Sequence, residues 1–182
     1  MIRLASSSQT RAQLLKDAGV EFVQESVDFD EDSIVASSPK SFVYKATLGK
    51  YEANLKKFGY TDYPLLVADT VVSANGKILR KAKSVDEARE ILLAQSGSIT
   101  SIITCMIFQS PKIKIIDISV TDYLFADFDK ERIEEYLKGK EWIGKAGACM
   151  VEGFCKQYIE SVKGYESTAM GLNIETLKRF MA

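Results

Sequence analysis

The chain reads as an α/β protein with a twisted, mixed β-sheet flanked by helices. Three observations carry this. Short β-rich runs alternate with segments whose apolar residues recur at helical spacing. Two longer β-rich runs, 99–108 and 113–124, flank Pro111 and read as an antiparallel pair. The first fifteen residues read as strand, serine-rich turn and helix. At 182 residues, without internal repeat or low-complexity linker, the chain is one large domain or two small lobes.

Taken in order, residues 2–5 are short and mostly apolar, as in a buried strand. Ser6, Ser7 and Ser8 follow. Ala12, Leu14, Leu15 and Ala18 then recur at helical spacing, with Gly19 where a terminating glycine sits. Ser7 or Ser8 caps this helix. Its free first-turn amides make an anion site, and Arg11, about one turn in, can present a planar fork to phosphate oxygens. The same residues equally describe an ordinary capped helix. Residues 21–27 alternate as a strand and run into Asp28, Asp30, Glu31 and Asp32. Ser38 caps and Pro39 opens a helix with Phe42, Ala46, Gly49 and Ala53 on one face, Lys50 beside it and Phe58-Gly59 at its end. Residues 63–68 form a buried strand that stops at Asp69. Val71 and Val72 continue extended, and Asn75-Gly76 signals a type I′ hairpin before residues 77–79. Ser84 and Glu87 make a capping box for a helix through Leu93. Asp129 caps a helix carrying Ile133, Tyr136 and Leu137, closed by Gly139. Residues 144–153 are rich in glycine and alanine and hold Lys145 and Glu152. Residues 154–162 then read as a strand, 164–171 as a loop, and Asn173 caps a last helix.

Composition narrows the chemistry. Apolar content of 46% and charged content of 27% are ordinary for a soluble globular protein. A net charge of −1 provides no basic field for nucleic acid or an anionic membrane. The N-terminus has no signal-peptide core, and the longest apolar stretch, 102–108, is far too short to span a bilayer. Three cysteines without a CxxC argue against a disulfide framework or a thiolate zinc site, and point to the cytoplasm. The chain has no histidine, which removes Ser-His-Asp and Cys-His catalysis and imidazole metal ligation. Acid–base work falls to carboxylates, lysine, tyrosine, cysteine or a metal. Any metal must be held by oxygen, which favours magnesium or manganese.

Several stretches have both a chemical and a plain reading. The acidic run 28–33 is a solvated turn or a source of carboxylates for a divalent cation; it lacks the glycine and terminal glutamate of an EF-hand. Asp69, at the carboxyl end of an apolar strand, stands where open α/β sheets bind ligands, or at a solvent-facing edge. Lys81 and Lys83 follow a hairpin, where lysines are commonly solvated. Neither a Walker A motif nor GxGxxG is present. Together, a serine turn with an arginine, two or more carboxylates and lysines on different elements equip a metal-assisted phosphoryl site.

An ordered series of motifs over nearly the whole chain resembles the Maf family of nucleoside triphosphate pyrophosphatases, also described as septum formation inhibitors. The family opening LASxSxxRxxLL is present at Leu4, Ala5, Ser6, Ser8, Arg11, Leu14 and Leu15. DxDE matches Asp28, Asp30 and Glu31, the helix lysine matches Lys50, and ADTVV is intact at 68–72. GKP survives only as Lys81, and LSG matches loosely at 95–97. KAGA is intact at 145–148, and the closing GL is Gly171-Leu172.

The resemblance implies a single Maf/ITPase-like domain over 1–182, with a central cleft between two lobes. It implies hydrolysis of a nucleoside triphosphate to monophosphate and diphosphate with a divalent cation, Mg2+ or Mn2+, in the service of nucleotide-pool sanitation. Ser6, Ser8, Arg11, Lys50 and Lys81 would hold phosphates; Glu31 and Asp69 would organise metal and water, Asp69 as proton acceptor. Substrate signals are mixed. Thr70 matches the dTTP/UTP branch. Thr10 in place of a first arginine and Glu152 in place of a glutamine resemble the branch acting on 7-methyl-GTP, although Glu152 also reads as a surface substitution. A homodimer is frequent in the family; nucleic-acid and membrane partners are not implied. The alternative from another class is a nucleotide-binding regulator of cell division without significant turnover.

Overall fold

The computed structural model describes residues 1–59 and 63–181. Strand β1 (Ile2–Leu4) buries Ile2 and Leu4 and feeds the serine turn. Ser8 caps helix α1 (Gln9–Asp17), its hydroxyl accepting from the Arg11 amide at 3.3 Å. Gly19, at φ +71°, ends the helix as expected. Strand β2 (Phe22–Gln24) is shorter than its sequence pattern suggests. Ser38 caps and Pro39 opens helix α2 (Pro39–Phe58). Its buried stripe is Phe42, Val43, Ala46, Thr47, Tyr51 and Asn54, rotated from the expected face. Part of the reason is Gly49: a Cβ there would overlap the ring of Phe29, which covers this side of the helix.

Strand β3 (Leu65–Ala74) does not stop at Asp69. It runs straight through, because Thr70, Val71 and Val72 are β-branched and favour extended backbone. The Asn75-Gly76 turn, with φ of 51° and 73°, returns it antiparallel into β4 (Lys77–Leu79). In helix α3 (Val85–Gln95) the Ser84 hydroxyl accepts from the Glu87 amide at 3.1 Å, while the Glu87 carboxylate accepts from Lys83 N–H at 2.7 Å, one residue before the expected box partner. Strands β5 (Ile99–Gln109) and β6 (Lys114–Phe125) are neighbours joined by a four-residue turn, a connection that only an antiparallel pair permits.

Asp129 caps helix α4 (Lys130–Lys138) as expected. Residues 154–162 are not one strand: Phe154–Tyr158 form a 3-10 turn, and strand β7 (Ile159–Lys163) begins only afterwards. The turn serves aromatic packing, with Phe154 stacked on Tyr136 and edge-on to Phe128. The segment expected as a loop contains a short helix α5 (Glu166–Ala169). Asn173 then caps α6 (Ile174–Met181), accepting from the Thr176 amide at 3.0 Å.

The strand order is β2-β1-β3-β5-β6-β7, with β4 paired to β3. Pairs β1–β2 and β1–β3 are parallel, while β3–β4 and β6–β7 are antiparallel, so the sheet is mixed as the sequence predicts. The chain forms two compact units, residues 1–70, 103–120 and 165–182 in the first, and 71–102 and 121–164 in the second. In the first unit, period-two alternation sorts β3 onto two layers. Leu66 and Ala68 join Leu4, Ala12, Leu15, Met106 and Leu177 on the α1 and α6 side, whereas Leu65 and Val67 join Ala5, Tyr51 and Ile107 on the α2 side. Each fully buried leucine of these layers contributes about 1.5–3 kcal/mol relative to exposure. The second unit is built around Leu92, Phe125, Ile133 and Leu137. No helix among the described residues is long and apolar enough to cross a membrane.

One local disulfide joins Cys149 and Cys155, contrary to the cysteine reading of the sequence; Cys105 is free and buried. Spacing alone hides this pair, because it is the turn at 150–153 that brings the two Cα atoms to 6.6 Å.

Candidate active site

Strand β1 lies between β2 and β3, so the chain leaves it in one direction through α1 and returns on its other side through α2. This reversal at the carboxyl end of β1 is where open parallel sheets leave a crevice. The parallel register Leu4↔Leu66 brings the serine turn level with residues 68–70 of β3. Alternation along β3 then puts Asp69 on the α2 face and Thr70 on the α1 face. The site is assembled from those two faces.

On the α2 face, Lys50 Nζ lies 2.6 Å from Asp69 Oδ1 and 2.6 Å from Glu31 Oε1. The ammonium thus joins the acidic segment to the sheet. Phe29, two residues before Glu31, fixes that segment by packing its ring on Gly49, next to Lys50. The Asp69 side chain is 10% exposed, that of Lys50 21% and that of Glu31 43%, so the cluster grades from core to solvent. Asp69 therefore presents its carboxylate from the middle of a strand, not from a strand end.

On the α1 face, Arg11 is tied down at three points. Its Nε donates to the Gly171 carbonyl at 2.7 Å, Nη1 to Ser6 Oγ at 3.0 Å and Nη2 to Thr70 Oγ1 at 3.1 Å. Three of the five guanidinium N–H donors are spent on the protein, leaving two for an anion. Desolvation lowers the Arg11 pKa from its ordinary value, opposed by the charges of Asp69 and Glu31. Ser6 is buried, and its oxygen accepts from both the Ser8 amide at 3.2 Å and Arg11, which leaves its own proton to donate. Gly171 sits at φ +104°, and a Cβ there would lie 3.3 Å from both Arg11 Nε and Thr70 Oγ1, so close approach and backbone both call for glycine.

Among the first-unit candidates, the structure thus brings Ser6, Ser8, Arg11, Glu31, Lys50, Asp69 and Thr70 to one region, while Thr10 is exposed on α1. In the second unit, Lys81 is exposed and forms an isolated antiparallel bridge with Ala146 of the KAGA segment. That segment is held by the Gly147 amide donating to the Leu79 carbonyl at 3.2 Å and by Gln95 Nε2 donating to the Gly147 carbonyl at 2.7 Å. Glu152 is exposed in the turn closed by the Cys149–Cys155 bridge.

Sequence reasoning missed Thr104 and Thr168, which support Thr70 and are both buried. The available signal for Thr104 was a hydroxyl inside the otherwise apolar stretch 102–108 of β5. Among the described residues no group of three or more His, Cys, Asp or Glu could enclose a metal. Glu31 and Asp69 are nonetheless a fitting donor set for magnesium, which binds through one or two carboxylates and completes its shell with substrate phosphates and water.

A protein 55% identical over 179 residues, covering 97% of this chain and 96% of its own length, is the "Nucleoside triphosphate pyrophosphatase" of a Nitratiruptor species. Proteins of the same name from Helicobacter pylori and Campylobacter jejuni are 40% and 39% identical, covering 96% and 100% of this chain and 91% and 100% of their own. The family model described as "Maf-like protein" matches residues 1–182, and the chain belongs to that family.

Proposed function

We propose that this protein hydrolyses nucleoside triphosphates to nucleoside monophosphate and diphosphate. The observation that carries the reading is Lys50 bridging Asp69 and Glu31 at 2.6 Å, beside a serine turn with a fixed arginine. The names of the relatives support the same reaction.

Mechanism follows from the side chains. Water attacks the α-phosphorus, its proton passes to the Asp69 carboxylate, and the bond to the bridging oxygen breaks to release diphosphate. Charge builds on that leaving group, and the two open donors of Arg11, the Ser6 hydroxyl and the Lys50 ammonium answer it. Lys81 contributes a further cation in the role the family resemblance implies. A divalent cation, when bound at Glu31 and Asp69, neutralises phosphate oxygens. Asp69 is suited to its role because its side chain is nearly buried yet held in one orientation by Lys50.

Glu152 favours a guanine-type base, 7-methyl-GTP above dTTP or UTP. A carboxylate accepts from guanine N1–H and the 2-amino group but meets the carbonyls of uracil or thymine as acceptor against acceptor. The test is diphosphate release from a panel of 7-methyl-GTP, GTP, dTTP and UTP with magnesium or manganese, on wild type and Glu152→Gln. Turnover with a preference for guanine nucleotides that shifts toward pyrimidines in the variant is expected. Turnover that prefers dTTP or UTP in the wild type contradicts the role of Glu152. Tight nucleotide binding without diphosphate release contradicts the enzyme and favours a regulator.

A further inference from the structure

Thr70 follows Asp69 directly, where its hydroxyl looks available to read a nucleotide base. Its hydrogen bonds lead elsewhere. Thr104 Oγ1 lies 2.8 Å from the Thr168 carbonyl and 2.8 Å from Thr70 Oγ1. A carbonyl can only accept, and a threonine hydroxyl has one proton. The Thr104 proton therefore goes to Thr168, and in the Thr70–Thr104 contact the donor must be Thr70. Arg11 Nη2, 3.1 Å from Thr70 Oγ1, can only donate. The direction of the whole chain is forced: Arg11 to Thr70, Thr70 to Thr104, Thr104 to the Thr168 carbonyl.

Burial makes this chain hard to rearrange. Thr104 is 1% exposed and Thr168 fully buried, so water does not substitute for a missing partner. The peptide around Thr168 is anchored by a second bond, Thr168 Oγ1 to Ser119 Oγ at 3.2 Å. Gly171, three residues on, takes Arg11 Nε at 2.7 Å. The segment carrying α5 thus grips Arg11 twice, once directly and once through two hydroxyls. Ser6 offers the contrast: its oxygen accepts twice and its proton stays free for an anion, whereas the Thr70 proton is already committed.

We infer that Thr70 and Thr104 form a one-way hydroxyl chain from Arg11 to the Thr168 carbonyl, and that Thr70 positions Arg11 for the triphosphate instead of reading the base. The inference rests on the proposed pyrophosphatase reaction for its kinetic readout but not for its geometry. Thr70 and Thr104 are positioning residues, acting through a guanidinium that spends three of its five donors on the protein.

The test uses Thr104→Val and Thr70→Val, which keep shape and remove a hydroxyl, with Thr104→Ser and Thr70→Ser as conservative partners. KM and kcat are measured for four triphosphates differing in base, beside melting temperatures. Both valine variants should raise KM about tenfold, as expected for weakening one hydrogen bond to a charged group. The factor should be the same for every base, and the serine variants should stay within about threefold of wild type. A merely structural role would lower the melting temperature and the active fraction, hence kcat, with KM unchanged. A KM change that depends on the base, or valine variants equal to wild type, overturns the inference. If the wild type hydrolyses no triphosphate, the functional reading fails by itself. The chain is then decided by calorimetry with inorganic triphosphate, where Thr104→Val must bind about tenfold more weakly than Thr104→Ser and equal affinities overturn it.

Discussion

Replacing Asp69 by asparagine separates chemistry from stability. The amide keeps the shape of the side chain, and its oxygen still accepts from Lys50, now 2.6 Å from the carboxylate. What disappears is the negative charge and the basicity. A hydrogen bond to a charged group is worth roughly 1.5–3 kcal/mol. Lys50 keeps Glu31 at 2.6 Å and a neutral acceptor at position 69, so the net cost to stability should be about 1 kcal/mol. For a chain of this size that is a fall of about 2–4 °C in Tm. The catalytic loss should be far larger. A positioned proton acceptor contributes about 10²–10⁴ in rate, or roughly 3–5 kcal/mol in the barrier at about 1.4 kcal/mol per decade. Thermal melts beside diphosphate release at saturating substrate distinguish the two. An Asp69→Asn enzyme that keeps a tenth or more of its kcat would refute the assignment of Asp69 as proton acceptor.

Other expectations follow from neighbouring contacts. Gly171→Ala should cost activity beyond its effect on Tm, because the new Cβ presses on Arg11 and Thr70 at 3.3 Å and adopts φ +104°; kinetics equal to wild type would contradict the close approach. Thiol titration at pH 8 should find no reactive cysteine in the folded oxidised protein, one after unfolding and three after unfolding with reduction, since burial pushes the Cys105 thiol up to about 11 and Cys149 pairs with Cys155. Reducing that bridge should lower stability by about 2 kcal/mol for so short a loop, read as a shift in urea midpoint. Burial pushes the Tyr136 hydroxyl, which donates to the Ala148 carbonyl at 3.1 Å, up to about 12. The folded state thus favours the neutral phenol. Its contribution is complete below the unfolded value of about 10 and is lost as pH rises toward 12, so the stability advantage of wild type over Tyr136→Phe should shrink across that window.

Much of this layout was legible because its causes are local. Ser8, Ser38, Ser84, Asp129 and Asn173 all cap the helices they precede, and Asn75-Gly76 turns the hairpin, since caps and turns depend on neighbours within three or four residues. The strand through Asp69 was misjudged because a charged residue looks like an end. Its partner Lys50, nineteen residues away, offsets the cost of burying it in mid-strand. The buried face of α2 was shifted by a ring from the acidic segment, and Arg11 takes its firmest bond from Gly171, 160 residues on. Arg11 and Asp69 stood out from their own surroundings and Lys50 through the resemblance, but the partners of all three lie on distant segments. Thr104 and Thr168 had no motif at all, and the hydroxyl chain they form needs three segments folded together.

The proposed reaction is tested most directly by where water enters the substrate. Hydrolysis in ¹⁸O-labelled water, with products separated and weighed by mass spectrometry, locates the attack. If Asp69 accepts a proton from water attacking the α-phosphorus, a single labelled oxygen appears in the nucleoside monophosphate and none in the diphosphate. Label in diphosphate, or release of orthophosphate with nucleoside diphosphate, would mean that another phosphorus is attacked and would contradict the proposed reaction.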